Sequence, residues 1–267
     1  MELLSYDFVQ RGLITGLMVA VSSAVAGVFL ILRRMAFLGA GLSHAAFGGV
    51  AVSLAVGADP LLFTALFTLA VGNFVQLVSG RRKVPGDAVI ALVFSGGIAL
   101  AVLLLGIFGG FSEHVFGYLF GSILMVTTGE LIFSGAVLCG VLLFFLRYYR
   151  KLLLLTFSEE IAKVQGVNVR VLNHLLVSVA SLVIVLAMKV VGIILASSLV
   201  VIPALTALML GRSFRGSVLI ALATAVASVF FGTLLSLYYN LPPSGSIVGV
   251  MILFFLASFL KKLRDPQ

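Results

Sequence analysis

Apolar residues run along this chain in long unbroken blocks, and short polar clusters separate them. A helix needs roughly 20 mostly apolar residues to cross about 30 Å of hydrocarbon. About nine blocks reach that length, at 8–32, 38–57, 60–79, 87–108, 127–147, 170–187, 190–210, 214–238 and 246–262. A transmembrane β-barrel would show short alternating segments instead. The pattern predicts an all-α polytopic helical bundle of about nine spans, a single transmembrane domain over 1–267 with short connections and no linker. The least marked boundary lies inside 170–210, where the chain turns around Met188, Lys189 and Gly192 without a polar loop. A merged or re-entrant reading there changes the count.

Composition supports the same class. Apolar residues make up 62% of the chain and charged ones 10%, and the mean hydropathy is +1.28, so a polar surface cannot cover the chain. The net charge of +8 would suggest a nucleic-acid partner if the basic residues were scattered, but they segregate. Arg33, Arg34, Arg81, Arg82, Lys83, Arg147, Arg150, Lys151, Lys163, Arg170, Arg212, Arg215, Lys261, Lys262 and Arg264 share one side if the spans alternate, leaving Arg11 and Lys189 on the other. This is the positive-inside pattern of a multi-pass cell-membrane protein, plasma or inner, with the N-terminus outside and the C-terminus cytoplasmic. No nucleic-acid partner follows from it. Glu2 and Asp7 precede the first block and Arg33-Arg34 ends it, the reverse of a signal peptide, so that block reads as a retained span. Cys139 is the single cysteine and forms no internal disulfide.

Few polar residues interrupt the spans. His44 lies about ten residues past Arg34, near mid-bilayer at 1.5 Å per residue. An intramembrane histidine points to a substrate or proton path, with packing or hydrogen bonding as the equal alternative. Ser43 precedes it. Position 40, one helical turn earlier, is where a carboxylate would complete a metal-binding pair, and it is Ala40. Glu113 and His114 follow Gly109-Gly110-Phe111-Ser112 in the expected outer loop, either meeting a metal from outside or standing as a solvated pair. His174 reads as interfacial, Asp59-Pro60 as an outer turn opening a helix, and Asp87 as a helix cap. Gly12 with Gly16, Gly106 with Gly110, and Ala196-Ser197-Ser198 permit close helix approach.

The longest predicted cytoplasmic stretch runs from Arg147 to Arg170. Within it, Ser158 can cap a short helix that has Glu159 and Glu160 in its first turn, with Gly166 and Asn168 as its end. Ile161 and Val164 with Ala162 beside them have the form of a docking knob, or else of an interfacial turn. The chain lacks a His-Glu-x-x-His zinc-protease motif, a Gly-x-Ser-Gly or Gly-x-Gly-Asp protease motif and a phosphate-binding loop ending in Gly-Lys-Ser/Thr. It is therefore expected to be no enzyme, with any ATP hydrolysis on a separate chain.

Four ordered blocks carry a resemblance: Arg33 to Gly49, Phe157 to Val167, Lys189 to Ala204, and Leu241-Pro242-Pro243-Ser244-Gly245 with Ile247-Val248. In these, over nearly the whole chain, it resembles the permease subunits of zinc, manganese and iron ABC importers. The resemblance implies a bundle similar to the vitamin B12 importer permease. It implies a homodimer working with two cytoplasmic ABC ATPase subunits and an extracytoplasmic metal-binding protein. It implies no permanently bound cofactor and a divalent metal ion as cargo, zinc first, manganese or iron next. On the same footing the segment at about 156–168 is a coupling segment, with Glu159, Glu160, Ala162 and Gly166 meeting the ATPase. His44 and Ser43 line the path, and Glu113 and His114 stand at its outer mouth. Two positions depart from the family pattern, Ala40 and Ser122, where some relatives carry acids; selectivity is then expected to lie mostly in the binding protein. The alternative is a gradient-driven secondary transporter. Such proteins often show internal repeats and buried acids; the chain has no convincing repeat and very few such acids.

Overall fold

A computed structural model describes residues 6–80, 84–108, 113–121, 123–211 and 213–264. In chain order the helices are α1 (Asp7–Leu32), α2 (Ala36–Val56), α3 (Pro60–Ser79), α4 (Gly86–Ile107), α5 (Glu113–Phe120), α6 (Thr128–Phe157), α7 (Glu159–Val164), α8 (Val169–Val191), α9 (Ile193–Leu210), α10 (Phe214–Tyr239) and α11 (Pro243–Arg264). A single 3-10 turn, Ile123–Met125, sits between α5 and α6. Among the described residues nine helices, all but α5 and α7, are long and apolar enough to cross a membrane. The expected all-α bundle is what forms.

Local chemistry sets the ends. The Asp59 carboxylate accepts from Leu62 N at 2.8 Å with Pro60 at the first helical position of α3. Thr127 and Glu130 form a reciprocal capping box at the start of α6. Asp87, expected as a cap, instead lies in the first turn of α4 after Pro85, and no side chain caps that helix. Its charge still suits a helix N-terminus. The larger difference is α6, whose 30 residues run on to Phe157, ten beyond the predicted span. The stretch expected as loop from Arg147 onward keeps its helical hydrogen bonds because Leu152 and Leu155 are buried and give it a packed face. The uncertain turn between the sixth and seventh spans is a single residue, Gly192, at φ +81°.

Helices α1, α2 and α8 form the centre: 72%, 72% and 67% of their most apolar windows are buried, against 22% for α4 and α6. A helix apolar all round and buried all round needs small side chains where its neighbours cross, since close packing drives association in lipid. Gly27 gives α9 that approach, as a Cβ there would strike the Val200 carbonyl. Of the pairs picked out by spacing, Gly12 and Gly16 both face Ile123, whereas Gly106 meets nothing. The bundle has two ends: at one Arg33 meets Leu155, Glu159 and Asn173; at the other Lys189 meets Glu130.

Candidate functional site

The candidate path residue His44 sits eight positions into α2, half-buried, with its ring centroid 4.1 Å from that of Phe94 on α4 and the rings tilted by 57°. Its Nδ1 is buried and makes no hydrogen bond among the described residues. The contact is possible because α4 crosses α2 at Gly97, where any Cβ would strike the His44 carbonyl. A histidine resting on an aromatic face with an unused ring nitrogen keeps its ligand capacity, which a histidine satisfied by the core would have spent.

Ser43 is placed differently. It is buried, and its hydroxyl donates to the Gly39 carbonyl at 2.8 Å on its own helix. Ala40 is half-buried one turn before His44. No group of three or more His, Cys, Asp or Glu side chains that would hold a metal occurs among the described residues. One imidazole nitrogen per chain falls short of a closed zinc site, which takes four ligands. The side chains of Glu113, His114 and Ser122 lie outside the described residues, so only the backbone of α5 places the first two, at the start of that short helix.

At the Lys189 end, the ammonium contacts Glu130 Oε1 at 2.7 Å and lies 4.7 Å from the Tyr118 ring centroid. Burial pushes the Tyr118 phenol up, with Lys189 opposing and Glu130 and Asp59 reinforcing. Three residues after Lys189, the backbones of Gly192 and Gly121 touch, leaving no room for a Cβ at either. Arg11 donates to the Thr128 hydroxyl at 3.1 Å beside them. Both basic residues that stood alone on their side in the sequence are therefore engaged.

At the Arg33 end, α7 is held by one face. Ser158 caps it, accepting from Ile161 N at 3.3 Å. Ala162 is fully buried, while Ile161 is 52% and Val164 88% exposed. Gly166 ends the helix at φ +76° with open space around it, and Glu160 is exposed. Glu159 turns to Arg33 at 2.7 Å. Burial opposes its charge, but the hydrogen bond and charge of Arg33, with Lys163 and Asn173, hold its carboxyl below the usual value. The four coupling candidates thus divide: Glu160 and Gly166 face outward, while Ala162 and Glu159 fasten the helix.

Sequence reading missed Phe94, the Arg33 cluster and the Lys189–Glu130 pair. Phe94 carries no signal distinct from any other apolar residue of α4. Arg33 was visible only as a topology charge. Lys189 did carry one: a lone lysine in an apolar stretch needs a carboxylate, and the Thr-x-x-Glu capping box at Thr127 offered it.

A profile of the ABC 3 transport family matches residues 5–262. The chain is 31% identical over 258 residues, 97% of its own length and 92% of the relative's, to the manganese transport system membrane protein MntC of Listeria innocua. It is 28% identical over 259 residues, covering 97% and 99%, to the high-affinity zinc uptake system membrane protein ZnuB of Haemophilus influenzae. Its fold matches a chain of PsaBC from Streptococcus pneumoniae with TM-score 0.86 and 30% identity, over 96% of this chain and 92% of that one. A metal-chelate type ABC transporter in an inward-facing conformation shares the fold at TM-score 0.77 and 18% identity, over 97% and 88%. The family profile covers the whole helical bundle, from before α1 to the last turns of α11, and the chain belongs to the ABC 3 transport family.

Proposed function

We propose that this chain is the permease of a divalent-metal ABC importer, working as a homodimer with separate cytoplasmic ATPase subunits and an extracytoplasmic metal-binding protein. The observation that carries the path assignment is His44: an imidazole with an unused Nδ1, half-buried against Phe94 on the central helix of a nine-span bundle. The Arg33 end is cytoplasmic in this reading, because it gathers the basic connections. There α7 offers Ile161, Val164, Glu160 and Gly166 to the ATPase, and Ala162 and Glu159 keep the helix seated.

Zinc is the favoured ion. Manganese prefers oxygen ligands, and imidazole suits zinc better; with Ala40 one turn before His44 the path lacks the carboxylate that would favour manganese. A single imidazole passes an ion on without trapping it, so affinity resides in the binding protein. In proteoliposomes holding permease, ATPase and binding protein, ATP should drive zinc uptake in preference to manganese. His44→Ala should depress that uptake at least tenfold with dimer assembly intact. Normal uptake by the variant removes His44 from the path, and uptake driven by an ion gradient without ATP returns the chain to the secondary transporters.

A further inference from the structure

The guanidinium of Arg33 joins three elements. Its Nη1 donates to the Leu155 carbonyl in the last turn of α6 at 2.8 Å, and its Nη2 donates to Glu159 Oε1 on α7 at 2.7 Å and to Asn173 Oδ1 on α8 at 2.9 Å. The side chain is only 11% exposed, against 46% for Glu159. Charge-assisted bonds from a planar fork fix distance and direction together, which a lysine cannot do. A topology charge facing water would need none of these partners.

Arg33 stands at the junction of α1 and α2. It ends α1, and two residues on Met35 precedes the first turn of α2. The turn between them is stiff: Met35 N donates to Leu30 O at 2.8 Å and Arg34 N to Ile31 O at 2.9 Å, the paired bonds of a Schellman motif. Arg34 takes the left-handed conformation there at φ 58°, where glycine is usual. From that turn α2 rises about 1.5 Å per residue, so His44 lies roughly 12 Å along it. Helix α7, six residues long, packs chiefly on α6 and α8. Arg33 is thus a hydrogen-bonded link from α7 to the junction that leads into the helix carrying His44.

We propose that Arg33 is a positioning residue for transport, the side chain through which displacement of α7 shifts the α1–α2 junction and, with it, His44. This rests on the reading of α7 as the ATPase docking helix. When the ATPases move α7, Glu159 pulls the guanidinium, and the stiff turn passes the movement to α2 because its hydrogen bonds leave no slack. Loss of Arg33 frees α7 to move without α2, and hydrolysis then runs without moving metal.

The test is zinc transported per ATP hydrolysed, in proteoliposomes of the assembled permease, ATPase and binding protein. Arg33→Met should lower that ratio at least tenfold with hydrolysis continuing. Arg33→Lys, which keeps the charge but loses the fork, should lie between. A merely structural role lowers assembly, hydrolysis and uptake together and leaves the ratio unchanged, and an unchanged ratio in Arg33→Met overturns the proposal. Should Arg33→Met not assemble, Glu159→Gln decides, because its half-exposed site tolerates the amide: a ratio reduced severalfold supports the route and the wild-type ratio overturns it. Failure of the underlying reading looks different: a charge placed on the exposed face of α7, as in Val164→Asp, then leaves the ATPases bound and ATP-driven transport unchanged.

Discussion

Among the described residues the two ends of the bundle each hold an ion pair at 2.7 Å, yet the two pairs sit in different surroundings. At the Lys189 end two glycine backbones, Gly121 and Gly192, are in contact just past the pair's lysine in sequence, and a third glycine, Gly12, admits Ile123. Everything there is short and close, so the pair seals a packed layer. At the Arg33 end the pair holds a six-residue helix whose other face is exposed Ile161 and Val164. The same charge chemistry closes one end and fastens a short helix at the other. What decides between these outcomes is the packing underneath, not the pair.

Breaking the packing should therefore cost more than breaking either pair. Gly192→Val forces a β-branched residue into φ +81° and onto the Leu119 carbonyl and Phe120 backbone. At ψ 163° this backbone is essentially open to glycine alone, and its cost of about 1–3 kcal/mol for any other residue acts together with overpacking of about 1–3 kcal/mol, so thermal unfolding in detergent should show loss of most folded protein. Lys189→Met comes next. It strands the carboxylate of Glu130, 12% exposed, and should destabilise by roughly 1–3 kcal/mol, between the values for exposed and buried pairs. Arg33→Met, with Glu159 half in water, should affect melting less than Lys189→Met and the transport ratio more, so the two variants should rank in opposite orders in the two measurements.

The smaller effects separate the ends further. Arg34→Gly should stabilise by up to about 1 kcal/mol, since glycine occupies the left-handed position without strain; an unchanged or lower melting temperature would mean that the Arg34 side chain contributes its own contacts. Acid should act at the Arg33 end through Glu159. Its carboxyl is held below the ordinary 4.5, so the stability it adds is complete above that value and is lost as pH falls through the lowered one. The melting difference between wild type and Glu159→Gln should stay constant from neutral pH to about pH 5, shrink as pH falls past 4.5 and vanish once pH is below the lowered value.

Much of this was legible in the chain. Long apolar blocks make helices in lipid because no water is present to satisfy backbone groups otherwise, and each of the nine expected spans has its helix. Ser158, Gly166 and Asp59 declared their turns through local chemistry that needs no tertiary contact. The end of α6 was not legible, because the polar run Arg147 to Lys151 stays helical only through the burial of Leu152 and Leu155 that follow it. The place of His44 inside the second helix followed from counting residues past Arg34, but its contact with Phe94 did not.

By itself, then, the sequence determined the class of molecule, its run of about nine apolar spans and the caps at Asp59 and Ser158, since each depends on hydropathy over some 20 residues or on hydrogen bonds within one turn. Tertiary structure alone decided which charges pair and which faces pack. Arg33 reaches Glu159 across 126 positions, and Gly97 meets His44 across a helix crossing. Such contacts have no local period, because they arise where separate helices come within a side chain's length of one another.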